Sequence, residues 1–276
     1  MSKTTISIVI PTLNCKGVIS RAMNSIIEQN LTTIEVIISD GGSADGTVDF
    51  SLATLASNKI PASAVIYPGS SIYQAINLGI KIAAGEWIYI LGSDDRLYQS
   101  DVLQCMEHRL SDSKADVVYG DAWAGESDGF LLGGVFDLNR LCRENICHQA
   151  LFYRRSALQS LQLEYNIKYE LLADWDYNLR LLSHHQFQHI PIIIAFFSGK
   201  GRSSTERDHA FERDRARNIL RYFGFRTIFM LHPLQFEPVA AVTQRPFQGH
   251  LLRQANRVMF PLYRRFARLG QQILAH

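Results

Sequence analysis

Aspartates are the residues of this chain that most invite a chemical reading. Asp94 and Asp95 come just after five apolar or aromatic residues, Trp87 to Leu91, and the pair Gly92-Ser93. The run has strand length, β-branched and aromatic content and no polar alternation, the mark of a strand buried on both faces in a mostly parallel sheet. Open α/β sheets bind ligands at the carboxyl ends of their strands. Two adjacent carboxylates at such a place repel each other unless a cation sits beside them. Hard oxygen ligands suit Mg2+ or Mn2+, which normally also hold a substrate phosphate. The purely structural reading is an Asp-Asp turn that caps the helical stretch after it.

Other carboxylates stand at comparable points. Asp40 follows the β-rich run EVIIS and opens DGGSADGT, Asp121 follows a further apolar run in YGDA, and Asp174 and Asp176 lie in ADWD at the start of a helical stretch. Carboxylates converging from several strand ends suit metal-assisted transfer on a phosphorylated substrate. Competing motifs are missing. No GxGxxG follows the first strand, and there is no GxxxxGK[ST] loop and no GxSxG elbow. Cys142, Cys147 and His148 do not have the spacing of a standard zinc site, and a fourth ligand is lacking.

The elements that must position these residues alternate. Strands are predicted over 5–10, 35–39, 64–67, 87–91, 115–119 and 190–197, and helices over 18–29, 49–56, 71–84 and 169–182. Residues 125–134 are rich in turn formers and read as a hairpin or loop. Strands alternating with helices at this interval predict a parallel α/β sheet. The chain of 276 residues is long enough for one large α/β domain plus an appendage.

The net charge of +2 hides an asymmetry: residues 201–276 hold thirteen arginines against five acids, and residues 1–200 hold fifteen basic residues against twenty-one acids. A catalytic domain over 1–204 and a basic helical extension over 205–276 are therefore expected. In the extension, Leu251, Ala255, Val258, Leu262, Phe266, Leu269 and Ile273 recur at helical spacing, with Arg253, Arg257, Arg264 and Arg268 on the other side. Such a basic amphipathic pattern over 250–276 suits an anionic membrane surface. The alternative is that its apolar face packs on the catalytic domain or on a second copy. No apolar run reaches transmembrane length, and no signal-peptide pattern precedes the first strand. The expectation is a cytoplasmic protein with free thiols, peripheral on the cytoplasmic face of the membrane, with no nucleic-acid partner.

Taken in order, SIVIPTLN, VIISDGGSADGT, INLGIKIAAGEWIYILGSDD and ADWDYNLRL resemble the motifs of family 2 glycosyltransferases, the inverting enzymes of GT-A fold, over roughly residues 4–204. The resemblance implies a nucleotide-diphospho-sugar transferase sheet flanked by helices. It also implies a nucleotide-sugar donor, a divalent metal (Mn2+ or Mg2+), and a saccharide or lipid-linked acceptor in polysaccharide or glycan biosynthesis. By the same resemblance Pro11, Thr12 and Asn14 line the nucleotide pocket, and Asp40 accepts from the base. Asp94 contacts the ribose or sugar side, Asp95 ligates the metal, and Asp174 is the catalytic base with Asp176 in support. His148 and Gln149 match a polar pair before the acceptor region, and Lys200 and Arg202 lie in a glycine-serine loop closing the diphosphate side. Many relatives carry D-x-G-I-Y-D-A-M-N where this chain has Gly69 to Asn77, so that Gly69, Ser71 and Gln74 replace Asp, Gly and Asp. Gln74 and Asn77 are still expected on the donor side, Gln74 by a hydrogen bond without charge.

Two other functions compete. A nucleotidyltransferase would carry a Gly-rich, basic loop after the first strand, where this chain has PTLNCKG. A non-catalytic nucleotide-sugar binder would have Gln74 in its favour, and Asp94, Asp95 and Asp174 against it.

Overall fold

The computed structural model describes residues 5–29, 31–125, 129–197 and 206–224. In chain order the strands are β1 (Ile6–Thr12), β2 (Ile34–Asp40), β3 (Ala62–Ile66), β4 (Trp87–Ile90), β5 (Arg96–Leu97), β6 (Val117–Ala124), β7 (Phe130–Leu132), β8 (Leu151–Arg154) and β9 (Phe187–Phe197). The helices are α1 (Ser20–Ile27), α2 (Thr47–Ser57), α3 (Ile72–Ile82), α4 (Val102–Asp112), α5 (Leu138–Leu141), α6 (Arg155–Ser160), α7 (Ala173–Leu182) and α8 (His209–Phe223), with a 3-10 turn over His148–Ala150 before β8.

All seven residues of β1 and all four of β4 are buried. Isoleucine and valine dominate the first and isoleucine and aromatics make up the second, so that apolar side chains fall on both faces of the pleat. The sheet runs β3-β2-β1-β4-β8-β6-β9-β5, with β7 on β6. Its first half, β3 to β4, is parallel. Beyond β4 the sheet is mixed. β8 runs antiparallel to β4 and β6, β7 to β6 and β5 to β9, while β6 and β9 are parallel. The expected mostly parallel sheet thus holds for the half from β3 to β4. The core of β8 (Leu151, Phe152, Tyr153) is fully buried, so an antiparallel strand reads like a parallel one from its sequence.

β1 was expected to stop before Pro11, but pairing with β2 continues through Pro11 and Thr12, which sit opposite Ser39 and Asp40. Pairing of β1 with β4 has already ended at Val9 and Ile90. A proline without an N–H is tolerated where one neighbouring strand has stopped. As the expected hairpin requires, β7 pairs antiparallel with β6.

α1, α3 and α4 present buried faces, with Met23, Ile26, Tyr73, Ile76, Leu103 and Met106 among the buried residues. Gly79 on α3 makes a close approach possible, since a Cβ there would meet Val9 and Ser39 of the strands beneath. Contacts divide the chain into two compact units, 1–211 and 212–276. The first holds the whole sheet. Of the second, residues 212–224 are described, within and just after α8, where Arg217 pairs with Asp214 at 2.8 Å. Among the described residues no helix is long and apolar enough to cross a membrane. The amphipathic pattern over 250–276 lies outside the described residues.

Candidate active site

A cleft of about 910 Å³ opens at the carboxyl ends of β1 and β4, lined by residues from Pro11 to Phe197. One end is made by Pro11, Thr12 and Leu13 after β1, with Gly41 after β2 and Ser70 and Ser71 before α3. Asp40 builds this end from below. It is 1% exposed, and its carboxylate accepts from Thr12 Oγ1 at 2.7 Å, Gly42 N at 2.8 Å, and Ser43 N and Oγ both at 2.6 Å. Burial pushes the Asp40 carboxyl upward, but the hydrogen bonds from Ser43, Thr12 and Gly42 win and hold it below the usual carboxylate value. Gly42 has φ near +97°, the left-handed conformation the turn needs. Asn14 braces the same turn: its side-chain oxygen accepts from Ala44 N at 2.9 Å, and its N–H donates to Ser43 Oγ at 2.7 Å.

The middle of the cleft is formed by Gly92 to Asp95. Asp94 is exposed, and Asp95 is 1% exposed. Asp95 Oδ2 accepts from Gln149 Nε2 at 2.6 Å, and the backbone carbonyl of Gln149 accepts from Tyr89 Oη at 2.9 Å. The 3-10 turn that carries Gln149 is therefore fixed to β4 and presents its amide to the second carboxylate of the pair.

The far wall holds Asp174, at the start of α7. Asn145 Nδ2 donates to Asp174 Oδ2 at 2.8 Å, and Tyr73 Oη lies 3.2 Å from Oδ1. Burial raises the Asp174 carboxyl to about 6, opposed by hydrogen bonds from the Trp175 backbone, Tyr73 and Asn145. A carboxylate with this proton affinity, on a cleft wall, is suited to general-base work near neutral pH. His148 lines the same wall with Nε2 3.0 Å from Tyr165 Oη, and burial pushes it down to about 4, so it is neutral at physiological pH. Under the wall, Tyr165 stacks on Tyr177 with centroids 4.0 Å apart and on Tyr73 at 5.4 Å.

Of the residues singled out in the sequence, the cleft brings together Pro11, Thr12, Gln74, Asp94, Asp95, His148, Gln149 and Asp174. Asn14 and Asp40 shape its loops without lining it. Asn77 is turned inward, with both ends of its amide on the Tyr165 backbone at 2.7 and 3.0 Å. Asp176 is fully buried and accepts from Arg180 Nε at 2.8 Å. The expected convergence of carboxylates is partial: Asp94, Asp95 and Asp174 line the cleft and Asp40 lies beneath one end of it, while Asp121 does not reach it. Asp121 lies inside β6 rather than at its end, and its Oδ1 is held by His189 Nε2 and Gly134 N, both at 2.7 Å. Among the described residues no three His, Cys, Asp or Glu side chains are grouped to hold a metal. Lys200 and Arg202 lie outside the described residues.

Gln74 and Ser71 have a structural task that the sequence reading missed. Gln74 N donates to Ser71 Oγ at 3.3 Å and Ser71 N to Gln74 Oε1 at 2.8 Å, a capping box on α3. The signal was present as S-x-x-Q before an apolar helix. Asn145 and Tyr73 were also missed, and no local signal marks Asn145. Arg140 is a further cleft residue, stacked over Phe136 at 3.8 Å and paired with Glu144 at 2.6 Å.

The model described as Glycosyl transferase family 2 matches residues 7–160, from β1 to the end of α6. A PGL/p-HBAD biosynthesis glycosyltransferase of Mycobacterium tuberculosis is 36% identical over 213 residues, covering 74% of this chain and 81% of that protein. The chain belongs to glycosyl transferase family 2. A chondroitin synthase of Pasteurella multocida is 28% identical over 189 residues, 67% of this family 2 chain and 20% of the synthase. Among solved structures, Staphylococcus aureus TarS 1-349 in complex with UDP-GlcNAc aligns with a TM-score of 0.64 at 17% identity, over 78% of this chain and 66% of that one. The mannosyltransferase PcManGT from Pyrobaculum calidifontis, in complex with GDP-Man and Mn2+, aligns at 0.58 with 16% identity, over 100% and 86%. The fold of this glycosyltransferase is therefore GT-A. The family match includes Asp94, Asp95 and Asn145 and ends before Asp174.

Proposed function

We propose that this glycosyltransferase moves a sugar from a nucleotide-sugar donor to a hydroxyl of a saccharide or lipid-linked acceptor, with inversion and with Asp174 as general base. The observation that carries this reading is Asp174 itself, a carboxyl raised to about 6 and held by Tyr73 and Asn145 on the cleft that also contains Asp94 and Asp95. Nucleotide-sugars named in both structural neighbours support the donor class.

Asp174 takes the proton of the acceptor hydroxyl as that oxygen bonds to the anomeric carbon. The bond from that carbon to the diphosphate oxygen breaks, and its electron pair leaves with the nucleoside diphosphate. Attack from the face opposite the leaving group inverts the centre. Pro11 and Thr12 border the nucleoside end, where Asp40 and Asn14 hold the loops, and Asp94 lies toward the ribose and sugar. His148, neutral and tied to Tyr165, shapes the acceptor wall without adding charge. Lys200 and Arg202 are assigned to the diphosphate side by their position in the chain alone.

The residues present fit a divalent cation. Two adjacent carboxylates, one exposed and one oriented by Gln149, supply the one or two protein ligands that a hard cation takes beside water and substrate phosphate. Asp95 would hold Mn2+ or Mg2+, with Asp94 next to it. Such an ion, when bound, offsets the charge growing on the leaving diphosphate.

The catalytic domain is assigned to 1–204 and the basic extension to 205–276, and the arginine-rich amphipathic pattern over 250–276 supports docking on an anionic membrane surface at the cytoplasmic face. Two experiments test this reading. Mass spectrometry after incubation with a panel of UDP- and GDP-sugars, Mn2+ and candidate acceptors should reveal a glycosylated product; release of free nucleotide with no acceptor modified would contradict it. Deleting 250–276 should abolish sedimentation with anionic liposomes at low salt and leave donor binding intact; a full-length chain that never binds such liposomes would contradict the membrane assignment.

A further inference from the structure

Behind Asn145, which lines the cleft, Asp174 is held by two side chains that do not, Tyr153 and Asn178. Tyr153 of β8 donates its hydroxyl to Asn178 Oδ1 at 2.9 Å. Asn178 Nδ2 donates to Asn145 Oδ1 at 2.9 Å. Asn145 Nδ2 then donates to Asp174 Oδ2 at 2.8 Å. Tyr153 and Asn178 are 0% exposed, so no solvent competes for the bond between them, and a chain of hydrogen bonds anchored in such surroundings is strengthened by its neighbours. Asn178 lies one helical turn after Asp174 on α7 and therefore on the same face.

We propose that Tyr153, Asn178 and Asn145 form a one-way relay of hydrogen bonds that holds Asp174 as an oriented carboxylate, leaving Oδ1 to take the acceptor's proton, and that the Tyr73 hydroxyl turns to follow that proton. The proposal rests on the reading of Asp174 as the base. The direction of the relay comes from its chemistry. Each amide accepts with its oxygen and donates with its nitrogen, and the last donor meets a carboxylate, which when ionised can only accept and does so most strongly. Turning Asn145 over would set its oxygen against Asp174 Oδ2 and its nitrogen against the nitrogen of Asn178. Turning Asn178 over would set its oxygen against that of Asn145. The three residues therefore favour the ionised form and offset part of the burial cost.

Oδ1 has a looser partner. Tyr73 Oη is 3.2 Å from Asp174 Oδ1 and 2.6 Å from the carbonyl oxygen of Leu171. A phenol has one proton to give. While Asp174 is ionised, that proton faces Oδ1. When Oδ1 has taken the acceptor's proton, the Tyr73 oxygen accepts from it and the phenolic hydrogen turns to Leu171. Only hydrogen bonds exchange, and Tyr73, held well above its ordinary value by burial and by Asp174, keeps its own proton. Around Asp174 itself stand neutral acids: Tyr153 and Tyr165, and the Cys147 thiol, pushed up to about 12 by burial. Asp208 faces Tyr73 and accepts from the backbone N–H groups of Leu171 and Leu172 at 2.9 and 3.1 Å.

The test reads the acid limb of the kcat–pH profile in Tyr153→Phe, Asn178→Ala and Tyr73→Phe, with donor affinity and melting temperature measured in parallel. Loss of a donor disfavours the carboxylate, so each variant should move the limb upward by about one pH unit, with kcat down about twofold at pH 7 and about tenfold well below the limb. Donor affinity should be unchanged in Tyr153→Phe and Asn178→Ala. In an Asn145→Ala background, where the relay is already cut, Tyr153→Phe should move the limb no further. A merely structural role would lower the melting temperature, leave the limb in place and be the same in both backgrounds. If Asn178→Ala does not fold, Tyr153→Phe, which removes a single oxygen atom, carries the test. Folded relay variants with an unmoved limb overturn the relay, and an unmoved limb in Tyr73→Phe overturns the rotor. Full turnover in Asp174→Asn would instead overturn the assignment of the base.

Discussion

Asn145 donates its amide to Asp174 across 2.8 Å, although the two residues lie 29 positions apart in the chain. The contact ties the start of α7 to the segment that leads into the 3-10 turn and Gln149. That same turn reaches Asp95 on the other side of the cleft. Asp174 and the paired carboxylates are thus indexed to each other through one short stretch, residues 145–149.

The raised proton affinity of Asp174 has a kinetic consequence. Only its ionised form can take the acceptor's proton, so kcat should fall about tenfold per pH unit below about 6, where burial has moved the group. Initial rates at saturating donor and acceptor from pH 5 to 8 check this. A profile flat across that range would mean that no group of this affinity acts in turnover.

It also has a consequence for stability. In the folded protein Asp174 binds its proton more tightly than in the unfolded chain, so stability is lost as pH rises from about 4 through about 6, and the cost is fully present above that. Asp174→Asn does not titrate. The variant should therefore be more stable than the parent at pH 7 to 8, by on the order of 2 kcal/mol, with the difference vanishing below pH 4. Urea denaturation at pH 4 and at pH 7.5 checks both the sign and the window.

Asp40 behaves in the opposite way. Its carboxylate gathers four hydrogen bonds that hold Gly42 and Ser43 against Thr12. Its folded value lies below the ordinary one, so it adds stability above pH 4 that is lost as pH falls through the folded value. Asp40→Ala should cost about 2–4 kcal/mol at pH 7 and weaken donor binding through the displaced loop. Unfolding midpoints together with donor titrations would reveal both effects; a variant as stable as the parent would contradict the account of this turn.

Asp95→Ala should stay folded and lose Mn2+-dependent donor binding. Gln149→Ala, which removes the amide from Asp95 Oδ2, should weaken the same binding less. Calorimetric titration of donor with and without Mn2+ separates the two. Parent-like binding of donor and Mn2+ by Asp95→Ala would remove the metal from this carboxylate.

Much of the half from β3 to β4 could be read from the chain because β1 and β2 end in Thr12 and Asp40 themselves and β4 runs directly into the loop that carries Asp94. Strand ends place residues that are close in sequence, and the motif spacing reports them. The wall that holds Asp174 could not be read this way. Asn145, Tyr73 and Asp174 meet from three separate segments, and nothing local in ENICHQ marks Asn145 as a partner of Asp174. The direction of β8 was hidden because a strand buried on both faces has the same pattern whichever way it runs. Asp121 and Asp176 resembled site carboxylates by type, yet His189 and Arg180 hold them elsewhere. Gln74 and Ser71 looked like departures from the family pattern, and their capping box on α3 gives them a purely local reason.

The central claim is that Asp174 takes the acceptor's proton, and the most direct test is a single-turnover assay of Asp174→Asn. Enzyme in excess is mixed with a radiolabelled nucleotide-sugar and acceptor, after calorimetry has established that the variant binds donor as the parent does. The expected result is unchanged donor affinity with glycosyl transfer slowed by about 10²–10⁴-fold. Transfer at the parent rate from a donor bound with parent affinity would contradict the account and move the base to another residue.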